Sequence, residues 1–307
     1  SFEALWNAFR TQLDAMVDRV TADVARTVDD RGTIAPVPIL SSLIEGCLDA
    51  RRDMTEGGAR YRTFGMLAEG ASHAIDSLTA IKTVVFEKKE ASMEELCAAL
   101  AADFKGYESL QARLLSAPKY GNSDESADAV AGRVIGAFTD SVNSHAEAFR
   151  RVIRFPAGVG TFSWYIGIGE GLGASADGRK AGEPVASNFS PALGRDMEGI
   201  PFAILSHAKM HECNLPAGAP LDLRLSRRLI EGKEGLERMV SLVRGFVESR
   251  GSMLTLTVAD IEELKAARRE PEKHRSLRVR MGGWCAYFTM LSPEQQEHHI
   301  RRQEKNS

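Results

Sequence analysis

Residues 277–291 read Leu-Arg-Val-Arg-Met-Gly-Gly-Trp-Cys-Ala-Tyr-Phe-Thr-Met-Leu, a glycine pair set between two strand-like runs. Leu277 to Met281 leads in, and Trp284 to Met290 leads out. Glycine inside a strand pattern weakens it, so it marks a bulge, a tight turn or a place where another group must approach the backbone. Taken alone, the pair is satisfied by a bulge or turn. The flanks say more: Arg280 stands two residues ahead of the pair, and an aromatic, Trp284, then Cys285 and Ala286, follow it.

This pattern resembles the Arg-Val-x-Gly-(aromatic)-Ser-Ala loop of the glycyl radical enzymes. The resemblance implies that Gly283 bears the radical and that Gly282 is the variable residue before it. It also implies that Arg280 and Trp284 hold the loop rather than touch substrate. Trp284 replaces the usual Tyr or Phe, and Cys285 the usual Ser, where small-residue packing is the plainer reading. The chemistry explains the glycine. Removing a hydrogen atom from Cα leaves a planar radical shared with the neighbouring amide nitrogen and carbonyl, and a side chain would oppose that planarity and block a partner thiol.

Three further segments match the same family in the same order. They are TEGGARY with the later HAIDSLTAIK (Thr55–Tyr61, His73–Lys82), APKYGN (Ala117–Asn122) and ASADGRKAGEPVASNFSPALGRDMEG (Ala174–Gly199). The chain is identified as a C-terminal portion of a glycyl radical enzyme of the pyruvate formate-lyase type. The resemblance implies the C-terminal part of a ten-stranded α/β barrel of two five-stranded halves, wrapped by helices, with the glycine loop inside. Residues 1–160 would be the helical C-terminal part of the lyase-type domain and 161–307 the glycyl radical domain. It implies anaerobic radical lyase chemistry, C–C or C–heteroatom cleavage of a small organic substrate, in the formate acetyltransferase, dehydratase and decarboxylase superfamily. No bound cofactor is expected, because an activating enzyme using S-adenosylmethionine and an iron–sulfur cluster installs the radical. That enzyme, the N-terminal half of the same protein and a second copy in a homodimer are the expected partners.

The catalytic cysteine of the family precedes the radical glycine by well over three hundred residues, which places it ahead of Ser1. Cys47 imitates its setting in Gly46-Cys47-Leu48-Asp49, but stands too near Gly283 and just before TEGGARY, so a buried structural thiol is the expected state. Cys97 is expected in a helix core. His211-Glu212-Cys213 fits no zinc spacing, and no metal is expected. The chain alone is therefore expected to lack turnover. The opening residues, with Phe2, Leu5, Trp6, Phe9, Leu13, Met16, Val17 and Val20 on one side, read as a helix face that needs a partner.

Thirty-nine basic and 42 acidic side chains give a formal charge of −3. That balance leaves no footprint for nucleic acid or an anionic membrane. No apolar run reaches the roughly 18 residues of a membrane span, and four unpaired cysteines suit a reducing, cytoplasmic setting.

Ser92 with Glu95 predicts a capped helix to about Asp103, Asp124 to about Arg154 a long amphipathic helix, and Ser292-Pro293 the start of a last helix. The acidic and basic run Lys265 to His274 reads as a solvated helix end and turn. Thr161–Ile168, Ile200–Leu205 and Met253–Val258 join the two runs around the glycine pair as strand candidates. Gly169-Glu170-Gly171-Leu172-Gly173-Ala174 has dinucleotide-fingerprint spacing, but the loop chemistry after it lacks the helix that would hold a pyrophosphate. Alternatives to the radical lyase are a non-catalytic radical carrier, an arylacetate-type decarboxylase suggested by Met-Gly-Gly-Trp, and a nucleotide-binding domain. Asp222 and Arg224 stand where many members have Asn-Gln-Lys.

Overall fold

The computed structural model describes residues 1–28, 30–212, 214–281 and 283–304, leaving out the side chains of residues 211 and 212. Ten α-helices of six or more residues are described: α1 Phe2–Thr27, α2 Ala71–Ala80, α3 Met93–Ala101, α4 Glu108–Ser116, α5 Glu125–Ala146, α6 Tyr165–Glu170, α7 Ile200–Ala208, α8 Gly232–Glu248, α9 Ile261–Arg269 and α10 Pro293–Glu304. Among the described residues six short strands pair two by two: β1 Met66–Ala68 with β2 Ala157–Val159, β3 Pro220–Leu225 with β4 Met253–Val258, and β5 Arg278–Arg280 with β6 Cys285–Tyr287. The first two pairs are parallel and the third is an antiparallel hairpin.

The face of α1 finds its partner within the chain. Trp6 and Val17 are buried, and Leu5, Phe9, Leu13 and Val20 pack on the same clusters as Val134, Ile135 and Phe138 of α5. Arg133 of α5 caps the contact, with its guanidinium 4.4 Å over the Trp6 ring and paired to Glu3 at 2.8 Å. Met16 remains 59% exposed, beside a groove of about 570 Å³ between α1, β1 and α5.

Three helices start where expected, two of them at their predicted caps, Ser92 and Ser292. Ser92 Oγ accepts from the Glu95 amide, Asp124 Oδ1 accepts from the amides of Ser126 and Ala127, and Pro293 opens α10. Helix α5 ends at Ala146 rather than near Arg154. Arg154 is drawn into a parallel bridge with Thr63, where its amide donates to the Arg62 carbonyl and its carbonyl accepts from Phe64, and this leads into β2.

Two strand expectations are corrected. At Thr161–Ile168, Asn188 Oδ1 accepts from the Thr161 and Phe162 amides, which turns the chain, and α6 follows. Ile200–Leu205 lies in α7, because Gly199 at φ +91° and Pro201 in the first turn launch a helix. Strand β3 was not among the expected strands, although Leu221, Leu223 and Leu225 alternate with Asp222 and Arg224 at a strand's period; Arg224 is as buried as the leucines. Cys97 is exposed on α3, where Leu96 and Ala99 face the core instead.

Candidate active site

The hairpin is registered by Arg278↔Tyr287, Val279↔Ala286 and Arg280↔Cys285, with Met281, Gly283 and Trp284 at its tip. The Met281 amide donates to the Trp284 carbonyl at 2.7 Å and closes the turn. Gly283 lies on the exposed tip at φ +93°, a conformation that a side chain resists, and a Cβ built there would meet nothing within 4 Å. Trp284 is half exposed. Arg280 Nη1 donates across the strands to Cys285 Sγ at 3.4 Å, and Arg278 Nη2 to the Tyr287 hydroxyl at 3.0 Å. Gly282, the residue expected to vary, lies outside the described residues.

Beneath the tip the side chains are buried and polar. Met281 is 3% exposed, and its Sδ lies 3.2 Å from His299 Nε2; His299 Nδ1 lies 2.7 Å from Arg224 Nη2. Burial and the charges of Arg224 and Arg302 push the His298 and His299 imidazoles well below their ordinary pKa, so both are neutral at pH 7. Burial, then Arg302, lowers Arg224 to about 9. Asp222, its neighbour on β3, is satisfied: Oδ2 accepts from Ser187 Oγ at 2.6 Å and Asn188 Nδ2 at 2.8 Å, and Oδ1 accepts from Thr255. The adjacent histidines of α10 gave no warning in the sequence, because Glu-Gln-Gln-Glu-His-His reads as a solvated helix.

The other matching segments converge on a second buried cluster. His73 Nδ1 lies 2.6 Å from Asp177 Oδ2, Asp76 Oδ1 accepts from the Tyr120 amide at 2.8 Å, and Ser72 Oγ donates to the Ser190 carbonyl at 2.7 Å. Arg179 donates to the carbonyls of Gly173, Lys180 and Glu183 and to Ser175 Oγ. HAIDSLTAIK, APKYGN and ADGRKAGEP thus clamp α2 to the loop after α6. Desolvation raises Asp76 to about 7. Desolvation also opposes ionisation of Asp177, but His73, Ser175 and the Arg179 amide outweigh it and hold that carboxyl at about 2.

Cys47 is 3% exposed at the start of a short helical turn, and Gly46 before it adopts φ +95°. The His211, Glu212 and Cys213 side chains lie outside the described residues, and among those described no His, Cys, Asp or Glu group is placed to hold a metal. No described helix is long and apolar enough to cross a membrane. Helix α6 ends at the glycines 169–173 rather than starting from them, so the amides a pyrophosphate needs are not presented there. The nucleotide-binding alternative falls with them. An apolar cavity of about 800 Å³ between α7 and α8, lined by Ile204, Leu225, Leu229 and Leu242, contains no hairpin residue.

The class defined by this hairpin and these clamps is matched by known proteins. Residues 1–169 match the pyruvate formate lyase-like family and residues 185–289 the glycine radical family. The chain belongs to the pyruvate formate lyase-like glycyl radical enzymes, and its fold is theirs. It is 34% identical to trans-4-hydroxy-L-proline dehydratase of Clostridioides difficile, over 99% of this chain and 38% of that protein. The solved B12-independent glycerol dehydratase from Clostridium butyricum superimposes with a TM-score of 0.92 at 30% identity, over 98% of this chain and 38% of that one. The chain therefore spans well under half the length of these relatives. The 4-hydroxyphenylacetate decarboxylase glycyl radical subunit of Clostridium scatologenes is 26% identical over 99% of this chain, which does not favour the decarboxylase branch suggested by Met-Gly-Gly-Trp.

Proposed function

We propose that Gly283 is the radical-bearing residue of a glycyl radical lyase that eliminates a C–heteroatom bond from a small organic substrate, with dehydration the leading form. The supporting observation is the geometry of Gly283 in a chain of this family. It stands at the exposed tip of a hairpin, with positive φ and open space where a side chain would be. No side chain stands on its Cα to hinder the flattening of that carbon. The likeness to two dehydratases supports elimination over acyl transfer.

An activating enzyme using S-adenosylmethionine and an iron–sulfur cluster would supply the abstraction. One hydrogen atom, proton and electron together, leaves Gly283 Cα, and the unpaired electron spreads over the flanking peptide groups. A thiol in the remaining length of the protein would return a hydrogen atom to Gly283 and become the thiyl that takes hydrogen from substrate. What this chain contributes is placement: a registered hairpin, and Arg280 and Trp284 on either side of the glycines. The homodimer and cytoplasmic setting belong to the same proposal.

Electron paramagnetic resonance of the whole protein after anaerobic activation tests this. A glycine-type doublet is expected that vanishes in Gly283→Ala and persists in Gly282→Ala, and oxygen should then cleave the chain next to Gly283. A doublet that survives Gly283→Ala would sink the assignment. Turnover that disappears in Cys47→Ser would instead make Cys47 the relaying thiol.

A further inference from the structure

Arg224 of β3 carries a buried charge that no neighbouring carboxylate pairs. This chain alone shuts its side chain in, at 4% exposure, and further length of protein only deepens that burial. Of its five N–H bonds, one on Nη2 reaches His299 Nδ1 at 2.7 Å. Nε and Nη1, which carry three more, meet no acceptor among the described residues.

The charges around it do not balance. Arg302 of α10 acts against the charge of Arg224, and its Nη2 donates to a neutral partner, the Asp222 carbonyl, at 3.1 Å. The Asp222 carboxylate shares a face of β3 with Arg224, two residues along, but its oxygens are engaged by Ser187, Asn188 and Thr255. His298 and His299 are neutral at pH 7, and burial raises the Tyr165 hydroxyl so that it keeps its proton. Arg224 and Arg302 line two adjoining hollows, one with Arg280 and Tyr165, the other with the half-buried Asp196 beneath Pro191–Gly194. Three guanidinium charges thus face two carboxylates, a surplus of one positive charge.

We infer that Arg224 binds a monatomic anion, chloride, through Nε and Nη1. The hollows measure about 10 and 20 Å³, room for a single particle and none for sulfate, phosphate or an organic acid. A water molecule would accept from the free N–H bonds but leave the charge buried and uncompensated, which is the expensive part of burying an arginine. A halide satisfies the donors and cancels the surplus. Bound there, it stabilises the contact of β3 with α10.

The test uses crystals of the whole protein soaked in sodium bromide, with diffraction measured at the bromine absorption edge. An anomalous peak is expected within hydrogen-bonding distance of Arg224 Nε or Nη1. Thermal midpoints of the whole protein are then compared in chloride and in gluconate, which the hollows are too small to admit, at equal ionic strength. Arg224→Met keeps the length of the stem without charge or donors, and an apolar replacement for a buried ion is often neutral for stability. The gain in chloride over gluconate should grow with concentration, as for any ligand of the folded state, and shrink at least about fivefold in Arg224→Met. Water alone at Arg224, or a carboxylate from the remaining length of the protein, overturns the site. A bromide peak with no gain in chloride is binding at crystal concentration only and overturns it as well, as does an equal gain in folded Arg224→Met. If the Met variant does not fold, the bromide peak and the gain of the unaltered protein decide.

Discussion

Gly169 and Gly283 both sit in glycine-rich runs, and the fold needs them for opposite reasons. At Gly169 a Cβ would lie 2.2 Å from the Glu183 carbonyl oxygen and 2.7 Å from Pro184 Cα. There glycine is required because another stretch of backbone occupies the side chain's place. At Gly283 the space is empty and the backbone is the constraint, at φ +93°. A glycine that allows close packing serves stability. At Gly283 the conformation of the backbone, not its packing, asks for glycine.

Alanine at each position separates the two, and the largest expected contrast is at Gly283. Gly283→Ala should abolish the radical signal while destabilising the fold by only about 1–2 kcal/mol, the penalty for a left-handed non-glycine residue. Gly169→Ala should do the reverse: the loop 183–184 must move, at a cost of roughly 1–3 kcal/mol or more, with spins per folded chain unchanged. Chemical denaturation of both variants, with spin counting of the activated proteins, checks the pair. A Gly169→Ala protein as stable as its parent would end the comparison.

The loop against which Gly169 packs is fastened through charge, and pH should sharpen its part. Asp76 rises from its ordinary 3.8 to about 7, so the native state keeps a proton that the unfolded chain releases earlier. The stability this gives is complete below about pH 4 and is lost as the pH climbs to about 7, by up to about 4 kcal/mol. Asp177, held at about 2, runs the other way, contributing above pH 4 and failing toward pH 2. Asp76→Asn keeps an acceptor for the Tyr120 amide and removes the titration. Its denaturation midpoint should therefore fall less between pH 4 and 8 than that of the parent. Parallel pH curves would show that Asp76 titrates normally.

What the sequence disclosed follows from how local each signal is. Caps at Ser92 and Ser292, the helix start at Asp124, and the hairpin around Gly283 depend on neighbours a few residues apart, and these were legible. The alternation of Leu221, Leu223 and Leu225 in β3 is a local strand signal as well; what local sequence does not disclose is that Arg224 is buried against His299 and that Asp222 is held by Ser187 and Thr255, partners far along the chain. Thr161–Ile168 has a strand's composition, but Asn188, distant in sequence, takes its first amides and turns it. For the candidate site, the resemblance located Gly283, Arg280 and Trp284. The layer beneath, with Arg224, His299 and Met281, exists only once three elements have met.

The smallest effect lies two residues from Gly169 in the same helix. Gly167 and Gly169 are about 200° apart around α6, so one faces solvent while the other is buried. A Cβ at Gly167 meets nothing within 4 Å, and no positive φ is required there. Alanine restricts the unfolded chain and favours the helix, so Gly167→Ala should stabilise by roughly 0.5–1 kcal/mol, opposite in sign to Gly169→Ala. Thermal unfolding of this chain measures it directly. Repeating the measurement in the whole protein extends the test: a gain here that becomes a loss there would mean that this side of α6 is covered by the rest of the enzyme, and that Gly167 is a packing glycine of the same kind as Gly169.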